Sequence, residues 1–145
     1  MSVRRNRKCA GEFDVPLRGL DNVILTPHVG GSTLEAQRNI AIEVADSLIG
    51  FTDAGATTGA VNFPNVELPL LQSGHRVLNI HQNVPGVLRD INQIIADMGA
   101  NVSAQHLGTL DEVGFLIMDV EAGLSRQVKH HIDGLEANIK TRLLF

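Results

Sequence analysis

The segment His81-Gln82-Asn83-Val84-Pro85-Gly86, with Asn101 further along, carries the residue types that can hold a small polar molecule. An imidazole donates or accepts according to its tautomer, and the amide oxygens of Asn83 and Asn101 can accept from an ammonium or a hydroxyl group. The segment leads into an apolar run at helical spacing, and the first N–H groups of a helix have no acceptor within it. Gly86 lets a ligand approach that backbone closely, with Val87 beside it. The helix dipole adds about 0.3–1 kcal/mol for an anion at this end. From the residues alone this is a generic anion-binding helix start, flanked by groups that suit an ammonium. A free amino acid presents both charges.

The elements that must position these groups follow from periodicity. Arg76 to His81 alternates as a strand, with Leu78 and Ile80 on one face and Val77, Asn79 and His81 on the other. Asn83 reads as an N-cap and Pro85 suits a first turn. Val84, Val87, Leu88, Ile91, Ile94, Ile95 and Met98 then keep helical spacing until Gly99. Strands are expected over Asn101–Leu107 and Val113–Glu121, joined by a turn around Gly108 to Glu112. Ser125 can cap a second helix bearing Val128, Ile132 and Leu135, and Ile139, Thr141, Leu143 and Phe145 alternate in a last strand. Strand, helix, strand, strand, helix, strand is the ferredoxin-like α+β order, four antiparallel strands with both helices on one face. Phe115 and Ile117 oppose Leu116, Met118 and Val120, so the third strand is apolar on both sides. Such a sheet should bury its second face or its edge in another subunit, which predicts an oligomer of at least two copies.

Upstream, Val23-Ile24-Leu25-Thr26 reads as a buried strand ended by Pro27. Ser32-Thr33-Leu34-Glu35 fits a capping box, and Ala36, Ile40, Ala41, Val44, Ala45 and Leu48 continue a helix to about Gly50. From Thr52 to Ser73 periodicity gives way to a connecting segment, with a short extended stretch at Ala60-Val61-Asn62-Phe63.

Other chemistries fit poorly. A formal net charge of -4 and 3% aromatic residues leave neither a basic groove nor stacking platforms for RNA, since the first strand has no aromatic and the third only Phe115. The basic run Arg4, Arg5, Arg7 and Lys8 reads as a solvated tail, so no nucleic-acid partner is expected. His28, His75, His81, His106, His130 and His131 show no metal-ligand spacing, and the adjacent His130 and His131 project about 100° apart on a helix. No metal is expected. With Cys9 the single cysteine, no internal disulfide is possible, which suits a reducing cytoplasm. No apolar run nears the roughly 18 residues of a membrane helix, and Met1 to Leu20 lacks the apolar middle of a signal peptide.

His-x-Asn-x-Pro-Gly-Val-Leu, followed by Gly99-Ala100-Asn101-Val102, resembles the ACT regulatory domain of the serine-regulated bacterial D-3-phosphoglycerate dehydrogenase family. Asp21-Asn22-Val23-Ile24-Leu25-Thr26-Pro27-His28-Val29-Gly30-Gly31-Ser32-Thr33 resembles the end of that family's catalytic region, and Ala60-Val61-Asn62-Phe63-Pro64 its linker. The resemblance implies an unmatched tail at 1–19, a remnant of the catalytic region at 20–51, a linker at 52–73 and an ACT domain at 74–145.

In this family NAD-linked oxidation of 3-phosphoglycerate begins L-serine biosynthesis, and L-serine inhibits by binding between paired ACT domains. The resemblance therefore implies that His81, Asn83 and Asn101 contact serine, with Asn101 supplied by the neighbouring subunit. Gly86 and Val87 contribute backbone, and Gly74 is part of a hinge. His28 matches the catalytic histidine, an acid/base beside the nicotinamide. The family's orienting carboxylate, substrate arginine and cofactor fold all match nothing here. No Gly-x-Gly-x-x-Gly occurs, and a dinucleotide-binding fold of roughly 100 residues or more has no room beside a regulatory domain. The chain by itself is expected to hold no NAD and to lack dehydrogenase activity. The rival expectation is an assembly-only ACT module, or truncated product, that no longer binds ligand.

Overall fold

A computed structural model describes residues 16–26 and 29–145. The chain divides into two compact units, one through Arg38 and one from Asn39 to Phe145. In the first, Val23 to Thr26 forms no strand, and Ile24 is 90% exposed. A strand needs a ladder partner, and no described residue pairs with this run. The run's apolar, β-branched character is therefore not expressed as a strand.

Helix α1 spans Leu34–Ala54. Its cap is Thr33, whose hydroxyl accepts the Ala36 N–H at 3.0 Å, one residue later than the expected Ser32. Gly50 does not end it. A glycine inside a helix costs about 1 kcal/mol relative to alanine but keeps its N–H bond. The stop comes at Gly55, whose φ of 74° leaves the helical region.

The second unit contains β1 (His75–Gln82), α2 (Val87–Asp97), β2 (Val102–Leu110), β3 (Val113–Val120), α3 (Ser125–Asp133) and β4 (Asn138–Leu144). The strands lie in the order β2-β3-β1-β4 and every neighbouring pair is antiparallel. This is the ferredoxin-like α+β arrangement expected from the sequence. Val77, Leu116, Met118 and Val120 from the sheet meet Val87, Ile91 and Ile95 of α2 and Val128 and Ile132 of α3. Full burial of each such side chain stabilises the fold by about 1.5–3 kcal/mol.

Local details differ from expectation. Ser125 does not cap α3, since Leu124 holds that position. The Ser125 hydroxyl instead donates to the Ala122 carbonyl at 3.0 Å and lies 2.6 Å from His75 Nδ1. The alternation expected from Ile139 to Phe145 is broken where Ile80 pairs with Lys140 but His81 pairs with Asn138. Ile139 is the extra residue of this bulge and turns outward, 53% exposed.

The face of the sheet away from the helices is not left wholly to another subunit. Val66 joins Leu78, Phe115, Ile117 and Leu144 in a second buried cluster, with Phe63, Leu68 and Ile80 packed on it. The Phe63 and Phe115 rings lie 5.2 Å apart. Thr57 closes the covering loop: its N–H donates to the Val66 carbonyl at 2.9 Å, and its hydroxyl accepts the Val66 N–H at 2.9 Å. Residues 61–63 form a bend here rather than an extended stretch, because the loop must turn Phe63 onto the sheet. The approach is close at Gly108, where a Cβ would stand 2.4 Å from Val66.

Arg76 anchors the same face. Its Nε and Nη2 donate to the two Asp119 carboxylate oxygens at 2.6 and 2.8 Å, Nη1 to the Ala54 carbonyl at 2.9 Å and Nη2 also to the Pro69 carbonyl at 2.6 Å. The side chains of Arg76 and Asp119 are 1% and 10% exposed. Removing one partner of a buried pair costs about 3–5 kcal/mol, because the other charge stays buried. An exposed pair such as Lys129–Asp133, with both side chains about a third exposed, contributes at most about 1 kcal/mol. Urea unfolding of Asp119→Ala should therefore show a loss of about 3–5 kcal/mol, and that of Lys129→Ala a loss under about 1 kcal/mol. Equal losses would show that the Arg76 charge is not held as described.

Candidate functional site

His81 ends the buried part of β1 and is 3% exposed. Its Nδ1 lies 2.9 Å from Oδ1 of Asn79, two residues back on the same face. The Asn79 amide nitrogen donates to Asn138 Oδ1 at 2.7 Å and to Thr141 Oγ1 at 3.1 Å, and the Thr141 hydroxyl donates to Asn138 Oδ1 at 3.1 Å. The β4 bulge brings Asn138 opposite His81. Across the sheet His81 pairs with Gly114, over which its ring lies: a Cβ there would come 2.2 Å from Nε2. Burial lowers the His81 pKa from its ordinary value of 6.5, so the ring is neutral at and above neutral pH.

Beyond the strand, Asn83 is held by the β2–β3 turn. Its N–H donates to the Glu112 carbonyl at 2.8 Å and its Nδ2 to the Asp111 carbonyl at 3.0 Å. Asn83 is thus not the N-cap, contrary to the sequence expectation. Val84 precedes a proline, which disfavours the helical conformation there. Gly86 takes the N-cap position at φ 98°, and α2 begins at Val87. The Asp90 N–H makes the first helical bond, to the Gly86 carbonyl at 3.0 Å. The N–H groups of Val87, Leu88 and Arg89 have no acceptor within the helix. The Val87 side chain is 6% exposed and belongs to the core, so it offers a ligand backbone only.

Two hollows flank this loop. One, of about 550 Å³, is lined by Asn83, Asp111, Glu112, Val113 and Ile139; the other, of about 340 Å³, by Pro85, Val87, Asp90 and Glu136. Both carry carboxylates, while the Arg89 guanidinium is paired with Asp90 at 2.7 Å. This end of the molecule suits an ammonium, and a ligand carboxylate must rely on the helix N–H groups.

Asn101 lies elsewhere. Exposed just before β2, it lines a hollow of about 280 Å³ with Ser73, Gly74, Ser103 and Glu121. Since β1 and β2 both run antiparallel to β3, Asn101 sits by the start of β1 and His81 near its end. At 3.3 Å per residue the two are separated by roughly 20 Å. One chain places His81, Asn83, Gly86 and Val87 at one end of the sheet, with Asn83 and Val87 lining separate hollows and His81 and Gly86 lining neither, and leaves Asn101 apart. Gly74 combines a φ of 82° with an approach that would put a Cβ 2.4 Å from the Val120 carbonyl oxygen, so no other residue fits there.

His28 lies outside the described residues. Among the described residues no group of three or more His, Cys, Asp and Glu side chains could hold a metal ion. None of their helices is long and apolar enough to cross a membrane. Asn138, Thr141 and Gly114 escaped the sequence reading. Only the placement of Asn79 on the His81 face hinted at them.

Residues 78–140 match the model of the AHAS small subunit-like ACT domain. Among curated proteins, D-3-phosphoglycerate dehydrogenase of Dictyostelium discoideum is 48% identical over 92% of this chain and 32% of its own length. The protein of that name from Escherichia coli strain K12 is 46% identical over 92% of this chain and 33% of its own length. A solved ACT domain, from GTP pyrophosphokinase of Chlorobium tepidum, aligns with a TM-score of 0.43 at 10% identity, over 48% of this chain and 83% of that one. The chain therefore carries an ACT domain and is a homologue of D-3-phosphoglycerate dehydrogenase, spanning about a third of the length of the curated relatives it matches.

Proposed function

We propose that this chain is the regulatory part of a D-3-phosphoglycerate dehydrogenase, and that it binds L-serine as a feedback inhibitor between the ACT domains of two copies. The observation that carries this reading is the placement of the site residues. His81, Asn83 and the Gly86-led start of α2 lie at one end of the sheet, and Asn101 at the other. Two domains related by a two-fold axis can set one end against the other and so assemble two equal sites, each from both chains. The serine carboxylate then meets the N–H groups of Val87 to Arg89. Its ammonium faces the Asn83 side and the carboxylates nearby, and the partner copy's amide closes the site over the hydroxyl.

Gly74, at its left-handed turn ahead of β1, is the hinge through which ligand binding is passed along the chain. The reaction itself belongs to the remaining two-thirds of the relatives' length. His28 is assigned as the acid/base of that reaction, and NAD binding is not assigned to these 145 residues. The chain works in the cytoplasm, as a homo-oligomer of at least two copies.

Calorimetric titration with L-serine should show saturable binding at about one site per chain. Asn83→Ala should weaken it by at least about tenfold, the loss expected of a hydrogen bond to a charged group. A chain that gives no heat with serine is the assembly-only module instead. Equilibrium sedimentation should find a dimer or larger at micromolar concentration, and a monomer throughout would remove the basis of a shared site. Purified free of host enzyme, the chain should form no NADH from 3-phosphoglycerate and NAD.

A further inference from the structure

The two nitrogens of His81 have different surroundings. Nδ1 faces Asn79, whereas Nε2 has no hydrogen-bond partner among the described residues. No wholly buried side-chain nitrogen or oxygen lacks a partner among those residues. The 3% of His81 that stays accessible therefore includes Nε2. His81 is thus a buried ring with one nitrogen bonded to Asn79 and the other, lying over Gly114, still accessible.

Asn79 determines what that nitrogen can do. It is 1% exposed, and its amide nitrogen uses both hydrogens, one on Asn138 Oδ1 and one on Thr141 Oγ1. Its oxygen is thereby turned to His81, and an oxygen without a hydrogen can only accept. We propose that Asn79 is a positioning residue of the ligand site: clamped by Asn138 and Thr141, it holds the His81 proton on Nδ1 and leaves Nε2 as an acceptor. His81 then takes a hydrogen bond from the ammonium or hydroxyl of an amino acid. The ligand carboxylate is left to the N–H groups at the start of α2. Gly114 belongs to the same device, because any Cβ at that position collides with the ring. What Nε2 meets rests on the amino-acid reading; the tautomer does not.

The test is a long-range proton–nitrogen correlation spectrum of the full ¹⁵N-labelled chain at mildly alkaline pH. The His81 signals are identified by their loss in His81→Gln. Wild type should show a protonated Nδ1 and an unprotonated Nε2. The reverse pattern overturns the proposal, with no variant needed. In Asn79→Ala the pattern should move toward the Nε2-protonated form that free imidazole side chains prefer in water, and serine affinity should fall about tenfold. Asn79→Asp, which keeps an oxygen facing Nδ1, should retain the wild-type tautomer. An unchanged tautomer in a folded Asn79→Ala chain also overturns the proposal. An Nδ1-protonated His81 in a chain that gives no heat with serine upholds this assignment and removes the serine reading alone.

Discussion

Arg76 brings a full charge onto the face of the sheet opposite the two helices, where it is 1% exposed, and the layout of that face follows from how the charge is satisfied. An isolated guanidinium would be far too costly to bury. Asp119 supplies the counter-charge from β3, and the carbonyls of Ala54 and Pro69 take two further donors. Those two carbonyls bracket the connecting segment, so one side chain fixes both ends of it against the sheet. Between them, Val66 and Phe63 pack onto Phe115 and Ile117, and the Thr57 hydroxyl holds the loop closed. The linker is thus part of the folded unit. At the entry to β1, Gly74 combines a left-handed backbone with a close approach to the Val120 carbonyl oxygen.

This changes the case for a second subunit. A sheet with a bare apolar face would need a partner to cover it, but here the same chain covers much of it. The need for a second copy now comes from the site. His81, Asn83 and Gly86 sit at one end of β1, Asn101 at the other, and strand geometry keeps them roughly 20 Å apart within one chain. If Asn101 contacts the same ligand as Asn83, the two belong to different copies.

The strand and helix order was legible because alternation and 3.6-residue spacing survive in Arg76 to His81, in Val87, Ile91 and Ile95, and in Leu116, Met118 and Val120. What escaped depended on contacts distant in sequence. Nothing near Arg76 announces Asp119, 43 residues later. Asn83 has the side chain of a cap, but the β2–β3 turn occupies it and Pro85 holds Val84 out of the helix, so Gly86 takes the position. Asn138 reaches the His81 network only through a bulge, which shifts the β4 register by one residue and defeats the simple alternation from Ile139 to Phe145. Val23 to Thr26 has the composition of a strand, but composition supplies no ladder partner.

The His81 environment joins these threads. A polar chain from Asn138 and Thr141 through Asn79 runs within the sheet and ends at the His81 ring over Gly114, so the orientation of Asn79 is set by the fold itself. In the proposed function a second copy completes the site. This is tested by mixing two chains that each bind serine at least about tenfold more weakly than wild type, Asn83→Ala and Asn101→Ala, and titrating the exchanged mixture. In a mixed dimer one site carries both substitutions and the other carries neither, so binding should return at one site per mixed dimer and with wild-type affinity. A mixture that binds as weakly as its two parents would contradict a site shared between copies.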